Sequence, residues 1–226
     1  MAKGILIAAM DFANVAADEF NDWYDTEHIP ERQRVPGFLT LQRWIGAENP
    51  KQSVATYDLD SLAVLQSPGY RAIGGENLSP WSKRVTAKVE RLLRYEGEQI
   101  VPGDATAPAS AGGLLLVGMT TGSEVETAFN AWYDTEHVPA LARVPGVLCA
   151  RRYRTSAGGT TISRRRAWST HRNGSRRARQ PRCPSMFAIT SPIGCGSFVE
   201  ITCAHRLALQ DRRWDEPARC RRCEPL

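Results

Sequence analysis

The segment Phe20-Asn-Asp-Trp-Tyr-Asp-Thr-Glu-His-Ile-Pro30 occurs a second time as Phe129-Asn-Ala-Trp-Tyr-Asp-Thr-Glu-His-Val-Pro139. The likeness extends beyond this stretch: 15 of 25 positions are identical between residues 20–44 and residues 129–153. The offset between the two copies is 109 positions. A chain of 226 residues therefore contains one small structural unit twice.

The residues around the first copy predict an α+β module of the ferredoxin-like kind. Short apolar or alternating runs indicate strands, helical spacing indicates helices, and Pro-Gly pairs mark turns. The predicted order is β-α-β-β-α-β, over residues 4–10, 16–28, 38–45, 53–59, 61–71 and 85–95. The second copy begins in the same way, with a strand over 113–119, a helix over about 123–137 and a strand over 147–153.

Composition and the repeat together divide the chain into four predicted segments. Residues 1–98 form the first module, and residues 99–112, rich in Pro, Ala and Gly, form a flexible linker. Residues 113–162 form the first half of a second module. Residues 163–226 form an Arg- and Cys-rich tail that is expected to be poorly ordered, so the second copy is predicted to be incomplete.

The tail differs from the rest of the chain in charge and in cysteine content. Residues 1–162 carry a net charge of −4, whereas residues 163–226 carry +9 and hold five of the six cysteines. Three explanations stay open: a shifted reading frame near Thr161 or a divergent fusion, a basic tail that binds nucleic acid or another anionic surface, and a genuine but unfamiliar completion of the fold. Cys220-Arg-Arg-Cys223 has the spacing of half a zinc site, but no second pair matches it, so no metal is expected.

The helix motif, followed by Val-Pro-Gly and a strand that ends in an Arg-aromatic pair, resembles the EthD-like group of the dimeric α/β-barrel superfamily. The elements Ser67-Pro-Gly-Tyr70 and Pro80-Trp-Ser-Lys-Arg84 fit the same group. The resemblance covers about residues 4–96 and 113–155. It implies that two such units pack sheet to sheet around a central cavity, as a homodimer or as an intramolecular pseudo-dimer. Relatives in the superfamily include cofactor-free isomerases, cyclases, dehydratases and monooxygenases, and haem-binding branches.

The end of the repeated helix carries the candidate catalytic residues, which are His28 and Tyr24, with His137 and Tyr133 in the second copy. A histidine can exchange a proton near pH 7, and a carboxylate three residues away, here Asp25, can raise its pKa. A tyrosine hydroxyl can hydrogen-bond a developing oxyanion. The competing interpretation is structural, because a histidine at a helix C-terminus is favourable against the helix dipole without any catalysis.

Further residues of the same helix and of the second strand are candidates for substrate binding. They are Trp23, Arg43, Glu27, Trp132 and Arg152. The two arginines could bind a carboxylate or enolate oxygen if they point into the cavity. Trp23 and Phe20 are equally suited to the core, and the acidic side chains to solvent.

The resemblance implies a cofactor-independent lyase or isomerase that acts on a small organic molecule by His-mediated acid/base chemistry. The alternative is a non-catalytic module that binds small molecules or packs a barrel. No cofactor is expected, and no phosphate-binding loop or dinucleotide-binding motif is present in the sequence. The expected partner is a small-molecule ligand rather than nucleic acid or a membrane, and the expected location is the cytoplasm.

Overall fold

The structure is a computed structural model, and it describes residues 2–119, 121–156, 161–162, 185–190 and 198–204. The strands are β1 (Gly4–Asp11), β2 (Phe38–Gly46), β3 (Gln52–Leu59), β4 (Glu90–Val101), β5 (Gly113–Met119), β6 (Val147–Thr155), β7 (Thr161–Ile162), β8 (Ser185–Thr190) and β9 (Phe198–Ala204). The α-helices are α1 (Ala17–Trp23), α2 (Ile29–Gln33), α3 (Pro68–Arg71), α4 (Pro80–Thr86), α5 (Glu126–Trp132) and α6 (Val138–Ala142). Short π-helical turns lie at Tyr24–His28 and Tyr133–His137, and 3₁₀ turns lie at Leu62–Gln66 and Gly75–Asn77.

The first copy forms the predicted ferredoxin-like module. β1 pairs antiparallel with both β3 and β4, and β3 pairs antiparallel with β2, which gives the strand order β4-β1-β3-β2. The α+β class and the β-α-β-β-α-β order are therefore confirmed.

The fourth strand of this module starts later than the sequence predicts. Residues 85–95 were predicted as strand, whereas α4 occupies residues through Thr86 and β4 begins at Glu90. The Ser79 hydroxyl accepts a hydrogen bond from the Ser82 N–H at 2.9 Å, and Pro80 lies in the first turn, so this segment has the N-terminal signals of a helix.

The second copy receives its third strand from the segment that was predicted as tail. In the first copy, Leu59 of β3 lies opposite Gly4 of β1 and Phe38 of β2. In the second copy, Ala204 of β9 lies opposite Gly113 of β5 and Val147 of β6, which are the counterparts of Gly4 and Phe38 in the repeat. Ala204 follows Leu59 by 145 positions, whereas the two copies of the repeat are offset by 109 positions. The strand β9 therefore lies 36 residues further along the chain than the repeat predicts. Residues 185–190 and 198–204 of the segment predicted as a tail form the strands β8 and β9, and the Cys220–Cys223 motif lies outside the described residues.

The second copy is nevertheless incomplete, as predicted. In the first copy, β4 pairs antiparallel with β1. At the equivalent position of the second copy, β8 pairs with β5, and it runs parallel to β5 rather than antiparallel. Within the described part of the chain, no helix stands between β6 and β9 as α3 and α4 stand between β3 and β4.

Strands of both copies close into one barrel within a single chain. β8 joins the edge strand β2 of the first copy, and β6 joins β4, so the pairings form the ring β1-β3-β2-β8-β5-β9-β6-β4. The short β7 extends the pairing of β4 beyond β6. The intramolecular arrangement is therefore the one that this structure has, and closure leaves few unpaired strand edges.

Two apolar clusters lie on opposite faces of the sheet. The barrel interior is filled by side chains from both copies, among them Ile7, Trp44, Tyr95, Leu116 and Tyr153. The outer face of the first copy packs against its helices in a second cluster. The segment predicted as a linker also contributes to the interior, because Ala107 and Ala111 are buried there.

None of the described helices is long and apolar enough to cross a membrane.

Candidate functional site

The repeated motif forms one helical segment that runs from α1 through a π-helical turn into α2. The Ile29 N–H bonds the Tyr24 carbonyl oxygen, five residues back, and Pro30 follows directly without an N–H of its own. A π-helical turn within an α-helix is rare and is frequent at functional sites. The same turn, before Pro139, occurs in the second copy.

The motif is tied to the second strand by an arginine. Arg43 on β2 donates to the Asn21 side chain at 2.8 Å and to the Asp25 carboxylate at 3.0 Å, and its guanidinium lies over the Tyr24 ring. Charge-assisted hydrogen bonds of this kind fix geometry as well as adding energy. Arg43 therefore anchors the helix to the outer face of the sheet.

A second network ties the helix to α4. The Glu27 carboxylate accepts from the Ser79 hydroxyl at 2.5 Å and from the Ser82 hydroxyl at 3.0 Å. The same Ser82 hydroxyl accepts from the indole N–H of Trp23 at 2.9 Å. These bonds fix the position of Trp23 in the core of the first module.

His28 lies between aromatic rings and a cavity. Its ring centroid is 4.4 Å from that of Trp23 and 4.9 Å from that of Tyr24. The Nδ1 atom is buried and has no hydrogen-bond partner among the described residues. Buried polar atoms are usually satisfied, so this nitrogen stands out among the buried polar atoms of the motif.

The cavity has a volume of about 420 Å³ and lies between the sheet of the first module and its helices, not on the barrel axis. This volume falls within the range of about 300–1,000 Å³ that is usual for small-molecule sites. Its walls are partly apolar and strongly basic. The lining residues are Leu6, Ala8, Met10, His28, Arg32, Tyr57, Leu65, Gln66, Tyr70, Arg71, Gly74, Gly75, Leu78, Thr86, Arg91 and Arg94.

Burial and the arginines determine the ionisation of the site. Burial lowers the pKa of His28 well below its usual 6.5, and the positive charge of Arg32 lowers it further. Burial likewise raises the pKa of Tyr24, and raises that of Tyr57 well above 10. At neutral pH the site thus presents an uncharged imidazole and two phenols whose oxygens are 3.4 Å apart.

The predicted residues of the first copy are in contact with one another, but only His28 lines this cavity. Trp23 is fully buried behind His28, Glu27 holds α4, and Arg43 points to the helix rather than into a central cavity. Tyr24 reaches the cavity only through the hydroxyl of Tyr57. The expectation that Asp25 raises the pKa of His28 is wrong, because Arg43 holds that carboxylate and burial has the opposite effect.

The second copy repeats the anchor without the cavity wall. Arg152 donates to the Asp134 carboxylate at 2.6 Å and to the Asn130 side chain, and its guanidinium lies over the Tyr133 ring. His137 contacts the Tyr133 and Trp132 rings. These predicted residues do not line the 420 Å³ cavity, and Arg152 is an anchor like Arg43.

Sequence reasoning missed most of the cavity wall, including Arg32, Tyr57, Arg91 and Arg94. Tyr70 belongs to the Ser-Pro-Gly-Tyr element of the resemblance, so that element was a usable signal. Tyr57 carries no such signal, because tyrosine is common in strands.

Comparison with solved structures shows the fold. An anthrone oxidase-like protein superposes with a TM-score of 0.56 at 9% identity, over 95% of this chain and 80% of that chain. A candidate monooxygenase from Lactobacillus acidophilus NCFM superposes with a TM-score of 0.52 at 10% identity, over 92% and 80% of the two chains. The fold is that of the dimeric α/β barrels. No protein-family model and no curated protein matches the sequence.

Proposed function

We propose that the cavity of the first copy is the active site of an enzyme that removes a proton from a small, planar, acidic organic molecule. His28 is the proton acceptor, and Arg32 and Tyr57 face the anion that forms. The observation that carries this proposal is the buried, unpartnered Nδ1 of His28 in the wall of a basic cavity. Membership of the EthD-like group, implied by the helix motif, belongs to the same proposal.

The charge of the cavity supports an anionic bound species. Four arginines line it, and no Asp or Glu stands among its described lining residues. Arg94 is paired with Glu96, and Arg71 donates to the Gln66 side chain, so part of this charge is already engaged. Preorganised positive groups in a partly buried site stabilise charge that develops on a substrate.

The lowered pKa of His28 is compatible with its acting as a base. An uncharged imidazole is ready to accept a proton at neutral pH, although a low pKa makes it a weak acceptor. The positive field that disfavours imidazolium also favours the substrate anion. Proton transfer creates an imidazolium and a substrate anion at the same time. The positive charge of the arginines destabilises the imidazolium but stabilises the anion. The free energy of the transfer is therefore less unfavourable than the lowered pKa of His28 alone suggests.

The anion has three outcomes that use no further group of the protein. If the anion takes the proton back at another atom, the reaction is an isomerisation. If the anion loses a leaving group, the reaction is an elimination. Both reactions are implied by the sequence resemblance. Reaction with dioxygen is the third, and the anthrone oxidase-like neighbour favours including it. For anthrone this reaction balances as anthrone plus O₂ giving anthraquinone plus water.

Anthrone is therefore a suitable probe, since its methylene protons are acidic and its enolate is planar. In deuterated buffer without oxygen, the wild-type protein is expected to accelerate exchange of these protons, followed by nuclear magnetic resonance. His28→Gln is expected to lower the rate by about 10²-fold or more. His137→Gln, at the equivalent position of the second copy, is the matched control and is expected to keep the wild-type rate.

Two other results would change the assignment. Anthrone that binds with no acceleration of exchange in the wild-type protein supports the non-catalytic binding module instead. Equal exchange in wild type and His28→Gln, with both folded, contradicts the role of His28. Admission of oxygen after the exchange measurement then separates oxygenation, seen as anthraquinone, from reactions that only move protons.

A further inference from the structure

Two cysteines face each other across neighbouring strands in the barrel. Cys149 on β6 lies opposite Cys203 on β9 in the antiparallel register. Both thiols are free, Cys203 is completely buried in the interior cluster, and Cys149 packs against the same cluster while remaining partly exposed. Residues opposite each other in an antiparallel pair have Cα atoms about 4.5–5.5 Å apart, which is within the range that a disulfide spans.

The two sulfur atoms interact in a way that gives them different roles. A hydrogen bond from Cys203 lowers the pKa of Cys149, burial of the thiol acts against this effect, and the positive charge of Arg151 lowers the pKa further. The same hydrogen bond and burial raise the pKa of Cys203. The pair therefore favours a thiolate on Cys149 that accepts a hydrogen bond from the thiol of Cys203.

A buried arginine supports this arrangement. Arg151 donates to the Asp58 carboxylate at 2.6 Å, and Asp58 also accepts from the Ala107 N–H. The Nε and Nη2 atoms of Arg151 have no hydrogen-bond partner among the described residues. The positive charge of this guanidinium lies close to the cysteine pair and lowers the pKa of both thiols, and Asp58 partly offsets this charge at Cys149.

We propose that Cys149 and Cys203 form a redox-active dithiol, which peroxides oxidise to a disulfide that joins β6 to β9. The thiolate of Cys149 attacks one peroxide oxygen, the O–O bond breaks, and an alcohol or water leaves with a proton, so that Cys149 becomes a sulfenic acid. The thiol of Cys203 then attacks the Cys149 sulfur and releases water. Two thiols and one peroxide thus give one disulfide, one alcohol or water, and one further water.

The exposure of the two residues determines the order of these steps. Cys149 is the partly exposed thiol, so a small peroxide meets it first. Cys203 is fully buried and reacts only with its neighbour. The disulfide would link β9 to β6. It would therefore stabilise the part of the barrel whose strand does not come from the position that the repeat predicts.

The full reduced chain tests this directly. It is treated with one equivalent of hydrogen peroxide, blocked with a thiol alkylating reagent, digested and mapped by mass spectrometry. The expected product is a single linked pair of peptides that contain Cys149 and Cys203, two hydrogens lighter than the reduced pair. The four remaining cysteines, Cys183, Cys195, Cys220 and Cys223, serve as internal controls and are expected to be alkylated.

Serine variants separate the two roles. In Cys203→Ser, Cys149 is expected to stop at the sulfenic acid, which a 1,3-diketone reagent traps. In Cys149→Ser, Cys203 is expected to stay reduced. The proposal is overturned if wild-type Cys149 and Cys203 are both recovered alkylated after peroxide treatment, or if the linked peptides contain other cysteines, and these wild-type results do not depend on the folding of either variant.

Discussion

The two copies of the helix motif differ in their surroundings far more than in sequence. Trp23 is 0% exposed and bonded to Ser82, whereas its counterpart Trp132 is 37% exposed. Yet the arginine that anchors the helix to the second strand, with its Asn and Asp partners, is the same in both copies. The repeated residues therefore determine how the helix attaches to the sheet. The residues that follow the motif determine whether a cavity forms beside it.

The difference at the cavity follows from two positions and one helix. Arg32 has Leu141 as its counterpart in the repeat, and Tyr57 of β3 has Thr202 at the same register position of β9. The helix α4, which covers the first copy, has no counterpart among the described residues of the second. A motif that is nearly identical in two places thus produces a candidate site in only one of them.

The largest expected effect comes from truncating the paired tryptophans. Trp23→Ala removes a fully buried side chain that packs on Phe20, Tyr24 and His28, and it should lower the free energy of unfolding by about 3–5 kcal/mol. Trp132→Ala, its matched control, should cost about 1 kcal/mol or less. Denaturant titration measures both, and equal losses would mean that the two helices are packed alike.

The buried ion pair that joins the copies gives the next effect. Asp58→Asn leaves Arg151 with an uncompensated charge in the barrel interior and is expected to cost about 3 kcal/mol. Asp25→Asn, at a carboxylate that is 56% exposed, is expected to cost less than about 1 kcal/mol. The same denaturant titration compares them, and a small loss for Asp58→Asn would show that the two copies are not joined through this pair.

The pH dependence of stability should reveal the burial of His28. The pKa of His28 in the folded protein lies well below 6.5, so the unfolded chain binds a proton first as the pH falls, and stability falls with it by about 1 kcal/mol per pH unit. Thermal unfolding between pH 7.5 and pH 5 should show this slope in wild type. The slope should be shallower in His28→Gln, and an unchanged slope there would rule out a buried neutral His28.

The smallest effect tests what the copies share. Asp25→Asn and Asp134→Asn each replace the charged half of the helix anchor by a neutral acceptor. Both changes should cost about 0.5–1 kcal/mol, because each carboxylate is partly exposed. A large difference between the two variants in denaturant titration would mean that the anchor is not equivalent in the two copies.

Much of the fold could be predicted from the sequence, because apolar periodicity and the internal repeat identify the strands and the helix of each copy. The strand β9 could not be found this way, since it lies 36 positions late and Cys203 stands where the first copy has Asp58. The helix α4 was missed because its serine cap and proline were interpreted as the approach to a strand. Both elements that the sequence did not predict, β9 and α4, lie where the two copies differ from each other.

The candidate site could be predicted only as far as His28. The direction of Arg43 follows from strand alternation, because its neighbour Trp44 faces the barrel interior and Arg43 must then face the helix. The cavity wall consists of residues from β1, β3, β4 and several short helical turns, which no local pattern brings together. Tertiary packing also reversed the expected pKa shift of His28, since spacing along a helix reveals neighbours but not burial.

The most direct test is a crystal structure of the protein with anthraquinone, the stable oxidation product of the probe. Electron density for the planar ring system is expected in the 420 Å³ cavity of the first copy, with an oxygen near His28 or Tyr57 and the ring against Tyr57 and Tyr70. Density in the barrel interior, or against Trp132 of the second copy with the cavity of the first copy vacant, would contradict it.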